Sequence, residues 1–183
     1  MPELVAMVRR MRHNQDVEDM FNGPDTPEYR KFNTVVNQAM LKDPAHYWLK
    51  VTDKSTGKIV SYSAWNIYPT VVPPAETIPT GPWLEQEPEK KKKIAQAFAQ
   101  EAAMKDQLRS HPHMSGTLSL KWGLALADLL SVPVWLNASP TGRPLYERHG
   151  FEVVDHLPMF GDYMLRKVRS SQINVAEVAA ATA

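Results

Sequence analysis

Six prolines between residues 69 and 88 constrain the fold of this chain more than any other feature. Proline lacks a backbone N–H and fixes φ, so a segment this rich in proline forms neither a regular helix nor a central strand. Residues 69–88, which include Trp83, are therefore predicted to form a surface loop. Regular structure has to be built from the residues before and after that loop.

A helix and a hairpin are predicted before the loop. Thr26 is a suitable capping residue, Pro27 suits the first helical position, and apolar residues then recur at helical spacing until Asp43-Pro44. Residues 47–52 and 59–65 are rich in aromatic and β-branched side chains and are separated by turn residues, a pattern typical of a β-hairpin.

The part of the chain after the loop alternates helices with short strands. Apolar spacing predicts a helix over 88–108 and a stronger one over 116–130. The apolar run 132–136 indicates a buried strand, and three further elements complete the domain. These elements are a helix at 142–149, a strand beginning at 151–154 and a last strand at 158–168. The expected fold class is mixed α/β.

Composition limits the classes of function. The chain has 183 residues, 43% of them hydrophobic, which predicts one domain over 26–168 with an N-terminal arm (1–25) and a flexible tail (169–183). Zero cysteines exclude disulfides and thiolate metal sites, and indicate a cytoplasmic protein. A formal net charge of +1 gives no reason to expect a nucleic-acid partner. No apolar run is long enough to span a membrane.

The segment from Leu136 to Phe151 reads LNASPTGRPLYERHGF and carries a resemblance. Together with the helix containing Leu120 to Asp128, it resembles the C-terminal half of the GNAT superfamily of acyl-CoA N-acyltransferases, and in particular small GNAT proteins common in fungi. The hairpin fits the family in order and type. The resemblance implies a mostly antiparallel central sheet flanked by helices, with acetyl-CoA as co-substrate and a small-molecule amine as acceptor.

Roles follow from the resemblance residue by residue. Tyr146 stands where many GNAT enzymes place the tyrosine that protonates the leaving thiolate of coenzyme A. Ser139 stands where many members have an asparagine that touches the cofactor, although Ser-Pro is also an ordinary helix start. Gly116, Thr117 and Leu118 correspond to the start of the cofactor-side helix, where N–H groups favour pyrophosphate.

The sequence departs from the family in one region. The pyrophosphate motif Q/R-x-x-G-x-G/A is replaced by Leu108-Arg-Ser-His-Pro-His-Met-Ser-Gly116, in which only the last glycine fits. The few residues between Leu108 and Gly116, with Pro112 among them, predict that the preceding central strand is missing or replaced. A sheet without a central strand exposes two edges, so pairing with a second copy of the chain is an open alternative.

Three further groups of residues carry possible functions. Trp65, Tyr68 and Trp83 form either an aromatic substrate pocket or ordinary packing of the loop on the sheet. His111 and His113 lack a nearby acidic ligand, so no metal site is predicted. No residue stands out as the general base, for which the candidates are Glu76, His156 and Asp162.

Two hypotheses of function therefore stand. The first is a GNAT-type N-acetyltransferase that moves an acetyl group from acetyl-CoA to an amine. The second is a GNAT-like scaffold that no longer uses coenzyme A. Such a scaffold would bind a small molecule, act as a partner protein, or catalyse different pocket chemistry such as isomerisation or cyclisation of a natural product.

Overall fold

A computed structural model describes residues 2–3, 5–6, 15–70, 81–108, 111–117 and 120–168. The helices are α1 (Gln15–Asn22), α2 (Pro27–Met40), α3 (Pro82–Glu85), α4 (Pro88–Leu108), α5 (Leu120–Leu130) and α6 (Arg143–Glu147). The strands are β1 (His46–Thr52), β2 (Ile59–Tyr68), β3 (His113–Thr117), β4 (Val134–Ala138), β5 (Glu152–Leu157) and β6 (Gly161–Arg166). No helix among the described residues is both long enough and apolar enough to cross a membrane.

The six strands form one sheet in the order β1-β2-β3-β4-β6-β5. The pairs β2–β3, β4–β6 and β5–β6 are antiparallel, whereas β3 and β4 are parallel. The predicted fold class, a mixed and mostly antiparallel sheet with helices, is confirmed.

The predicted loss of a central strand is wrong. Residues His113–Thr117 form β3, which lies between β2 and β4 at the centre of the sheet. Five residues are enough for a strand, and Pro112 precedes the strand instead of interrupting it. The following helix begins at Leu120, so the prediction that it begins at Gly116 is also wrong.

The helix α2 and the hairpin of β1 and β2 lie where local sequence signals predicted them. Thr26 caps α2 by accepting a hydrogen bond from the N–H of Tyr29 at 3.3 Å, with Pro27 at the first helical position. In the turn between β1 and β2, Oδ1 of Asp53 accepts bonds from the backbone and hydroxyl groups of Ser55 and Thr56. Four donors on one oxygen stabilise the charged carboxylate and fix the turn.

The chain divides into two compact units by its contacts. The first comprises Met1–Pro44, Lys50–Ser61 and Ala75–Met104, and the second comprises Ala45–Leu49, Tyr62–Pro74 and Lys105–Ala183. The division into an arm, a domain and a tail stays a prediction. Residues 15–22 of the arm are helical, and the tail lies outside the described residues.

The core of the first unit is built around Trp83. The side chain is 4% exposed, its indole N–H donates to the carbonyl of Met20 at 3.0 Å, and the rings of Tyr29 and Phe32 meet it edge-on. Trp83 lies in the one-turn helix α3, inside the segment predicted as an irregular loop. Residues 71–80 of that segment lie outside the described residues.

The core of the second unit lies between the sheet and the helices α5 and α6. Its buried members are Trp65, Met114, Leu120, Leu124, Ala127, Val132, Val134, Leu136, Ala138, Tyr146, Phe151 and Met164.

An ion pair joins α5 to the sheet at the edge of this core. Nη2 of Arg166 lies 2.7 Å from Oδ2 of Asp128, and the Arg166 side chain is only 3% exposed. Among the described residues, Nε and Nη1 of Arg166 have no hydrogen-bond partner. The buried guanidinium therefore depends on Asp128 for its charge compensation.

The turn carboxylate gives a pH-dependent prediction. Hydrogen bonds from Ser55 and Thr56 lower the pKa of Asp53 to about 2. Because the folded pKa is depressed, the stabilisation is present above the pKa of the unfolded chain, about 3.9, and is lost as the pH falls toward 2. Asp53→Asn should therefore be less stable than wild type near neutral pH, with the difference shrinking below pH 4. Denaturant unfolding at several pH values measures it, and a difference independent of pH would contradict the assignment.

The ion pair gives a stability prediction. Asp128→Ala leaves the buried guanidinium of Arg166 uncompensated and should destabilise the fold by about 3–5 kcal/mol, measured by urea unfolding. Lys167→Ala is the matched control, because its pair with Glu152 is exposed and should contribute no more than about 1 kcal/mol. Equal losses in the two variants would show that Arg166 does not depend on Asp128.

Candidate functional site

The two parallel strands at the centre of the sheet part from each other. β3 and β4 are joined by only two residue pairs, Met114 with Val134 and Ser115 with Trp135. Beyond Ser115 and Trp135, no residue pair joins the two strands, although both continue to the ends of the described elements. Each stays paired to its outer neighbour, β2 on one side and β6 on the other. Past this point the inner edges of β3 and β4 have no partner strand, and the space between these two edges is called the gap.

A polar and aromatic row crosses the sheet beside this gap. The rings of Tyr68, His113, Trp135 and Tyr163 follow one another with centroids 5.3, 5.9 and 5.4 Å apart. Nδ2 of Asn66 donates to Oγ of Ser115 at 3.3 Å, and its Oδ1 is buried with no hydrogen-bond partner among the described residues. Asn66 therefore carries a buried acceptor that is open to a hydrogen-bond donor.

The end of β4 turns sharply into α6. The carbonyl of Ser139 accepts bonds from the N–H groups of Gly142 and Arg143, each at 2.9 Å. Its hydroxyl accepts from the N–H of Gly142 at 3.2 Å and lies 3.1 Å from the hydroxyl of Thr141. Ser139 is exposed, and both its carbonyl and its hydroxyl are hydrogen-bonded within the turn. These bonds agree with its alternative interpretation as a helix-start residue.

Tyr146 is held in place by the core. The residue is 6% exposed, its ring meets Phe151 edge-on at 5.8 Å, and burial raises the pKa of its hydroxyl above the usual value of 10.0. A Cβ at Gly142 would lie 3.3 Å from Cε2 of Tyr146 and 3.2 Å from Oγ of Ser139. The glycine thus lets the turn and the ring approach closely, and the hydroxyl keeps its proton at neutral pH.

Gly116 serves packing inside β3. A Cβ at this position would lie 2.5 Å from Cδ2 of Trp65 and 2.7 Å from the carbonyl oxygen of Ala64. The prediction that Gly116 lies at a helix start is therefore wrong: it lies within a strand and accommodates an indole ring. Its contact with a cofactor stays a prediction. Thr117 is the last residue of the same strand. Leu118 lies outside the described residues.

The three predicted pocket aromatics are not brought together in one core. Trp65 is fully buried in the second unit, against Gly116 and Gly123, and Trp83 is buried in the core of the first unit. The sequence left open whether these tryptophans line a pocket or pack in the interior, and both Trp65 and Trp83 pack in the interior. Tyr68 is half-buried at the end of β2 and belongs to the row beside the gap.

A histidine and an aspartate that were only weak candidates from sequence form a hydrogen-bonded pair. Nδ1 of His156 lies 2.8 Å from Oδ1 of Asp162, and Nη1 of Arg143 donates to Oδ2 of the same carboxylate at 3.3 Å. The bond from His156, followed by that from Arg143, lowers the pKa of Asp162. The third candidate base, Glu76, lies outside the described residues.

The side chains and strand edges of the described residues limit which cofactor they can hold. No cluster of three or more His, Asp or Glu side chains that could hold a metal occurs among them. A strand edge without a partner strand can bind an extended group rich in amides, such as the arm of coenzyme A, and a protonated tyrosine hydroxyl can donate a proton. The predicted contacts of Gly116 and Ser139 with the cofactor fit less well, since packing and the turn already use both.

Comparison with known proteins leaves the function open. No protein-family model matches the sequence, and no curated protein matches it. Among solved structures, the chain is similar to a Bordetella pertussis protein assigned to the GnaT-family acetyltransferases. The two share 15% identity with a TM-score of 0.41, over 91% of this chain and 88% of that one. A likeness of this size establishes no activity.

The contact between Gly116 and Trp65 is testable by a double-mutant cycle. Gly116→Ala should destabilise the fold by about 1–3 kcal/mol, because the new methyl group overlaps the indole. In a Trp65→Leu background the same substitution should cost less, since the ring atoms it meets are gone. Urea unfolding of the four proteins gives the coupling. Strictly additive losses would mean that the glycine is needed for some other reason.

Proposed function

We propose that this chain is a GNAT-type N-acetyltransferase that transfers an acetyl group from acetyl-CoA to the amine of a small molecule. The observation that carries the proposal is the parting of the parallel strands β3 and β4, followed directly by the turn and helix that hold Tyr146. The resemblance of the segment from Leu136 to Phe151 supports it. A cytoplasmic location, suggested by the absence of cysteine, is part of the proposal.

The gap is the proposed binding place of the pantetheine arm. Backbone N–H and C=O groups need hydrogen-bond partners when buried, and a strand edge that faces no partner strand can bind an extended ligand with amide groups. The edges of Gly116 and Thr117 on β3 and of Leu136 to Ala138 on β4 line this place. Acetyl-CoA would supply an activated acyl group attached through a thioester.

Tyr146 is the proposed proton donor. Attack of an amine on a thioester expels a thiolate, and a positioned acid lowers that barrier. The buried ring fixes the hydroxyl in one position, and its raised pKa keeps it protonated at neutral pH. The position of Tyr146 on the helix that follows β4 supports this role, because that helix begins beyond the end of the strand Val134–Ala138.

A scaffold without coenzyme A remains the second candidate, and a specific observation favours it. The indole of Trp65 occupies the space beside Gly116, and the hydroxyl of Ser139 accepts a hydrogen bond from the N–H of Gly142. Two of the expected cofactor contacts are thus used by the fold. On this alternative, the polar row from Tyr68 to Tyr163 would hold a different small molecule.

Acetyl-CoA binding and Tyr146→Phe separate the candidates. Calorimetric titration should show binding of acetyl-CoA to wild type, and release of free thiol should follow when primary amines are added. Tyr146→Phe should lower kcat at least about 10²-fold with unchanged acetyl-CoA affinity, because only the proton donor is lost. Tyr47→Phe, on the exposed edge strand, is the matched control. Absence of binding at millimolar acetyl-CoA would exclude the transferase and leave the scaffold.

A further inference from the structure

The pair His156–Asp162 has the geometry of an oriented base. The carboxylate of Asp162 orients the imidazole of His156: Nδ1 lies 2.8 Å from Oδ1 of Asp162. This bond fixes Nδ1 as the protonated nitrogen of the neutral ring and leaves Nε2 as the acceptor. The His156 side chain is 65% exposed, whereas Asp162 is 15% exposed, so the carboxylate is enclosed and the imidazole is open to an incoming molecule.

Sheet register places this pair at the end of the strands where Tyr146 lies. Asp162 of β6 is paired with His156 of β5 on one side and with Ala138, the last residue of β4, on the other. His156 is therefore level with the end of β4 and two strand spacings, about 10 Å, from it. Arg143, which donates to Asp162, precedes Tyr146 by three residues on α6, and residues three apart share a helix face.

The charges around the imidazole favour a cation. From β6 comes Asp162, whose Oδ1 lies 2.8 Å from Nδ1 of His156. From α6 come Arg143 and Glu147, which pair with each other at 2.7 Å. Two carboxylates, Asp162 and Glu147, thus bond one guanidinium. The surplus of negative charge attracts a protonated amine and disfavours an anionic acceptor.

We infer that His156 is the general base of the proposed acyl transfer, that Asp162 is its positioning residue, and that the acceptor is a primary alkylamine arriving as an ammonium ion. This inference rests on the proposed function. Nε2 of His156 takes one proton from the ammonium, which makes the nitrogen nucleophilic. Tyr146 gives its proton to the leaving sulfur as the nitrogen–carbon bond forms and the carbon–sulfur bond breaks. The second amine proton returns to the Tyr146 oxygen, and His156 releases the first to solvent.

The experiment compares wild type, His156→Gln, Asp162→Asn and the control His111→Gln, which alters an exposed histidine before β3. Acetyl-CoA binding is measured by calorimetry, and thiol release is measured with a panel of primary alkylamines, the fastest being used for all variants. His156→Gln should bind acetyl-CoA as wild type does but release thiol about 10²-fold more slowly. His111→Gln should release thiol at the wild-type rate, because His111 precedes β3 and takes no part in the proposed transfer.

Two further readouts separate chemistry from structure. Added imidazole should restore part of the rate of His156→Ala, because the exposed site admits a free base. Asp162→Asn should lower kcat more than it raises KM, as expected of a residue that orients the base. A His156→Gln rate equal to that of His111→Gln, in a wild type that binds acetyl-CoA and acetylates amines, would overturn this inference alone. A wild type that releases no thiol with any amine would overturn the proposed function and this inference with it.

Discussion

The indole of Trp65 is the contact on which the second unit depends. Cβ atoms at Gly116 and Gly123 would lie within 2.1–2.5 Å of its ring, so one side chain of β2 occupies the space of two absent side chains, one on β3 and one on α5. Packing of this kind fixes a helix close to a sheet and leaves no room for adjustment by a methyl group. The other buried residues of this core surround the indole of Trp65, which is fully buried.

The gap between β3 and β4 follows from how these two strands are held. A parallel pair needs a crossover, here α5, so no tight turn forces the strands to stay paired along their length. Each strand has an antiparallel neighbour on its outer side, β2 for β3 and β6 for β4. The strands can therefore diverge after Ser115 and Trp135 while both remain fixed in the sheet. The opening is a property of the sheet order, and it needs no glycine-rich loop to exist.

Features encoded by neighbouring residues could be predicted from sequence, and features decided by distant ones could not. The cap of α2 at Thr26 and the turn at Asp53 are local hydrogen bonds, and both were located correctly. The strand β3 reads HMSGT, with one large apolar residue, so no apolar run marks it. It is a strand because β2 and β4 pair with it from both sides. The sequence does not show whether Trp65 lines a pocket or packs in the core, because Gly116 and Gly123, which make room for its ring, are distant in the chain.

The same limit explains why the site was only partly visible. Tyr146 and Ser139 were found because they belong to one short motif, and the structure shows that the turn uses the serine hydroxyl. His156 and Asp162 become neighbours only when β5 extends to Leu157 and pairs with Gly161, whereas the sequence placed the end of that strand less definitely. Through Arg143, the carboxylate of Asp162 also ties α6 to the β5–β6 hairpin. The carboxylate of Asp162 thus bonds both the imidazole of His156 and the guanidinium of Arg143, and Arg143 lies on the same helix as Tyr146.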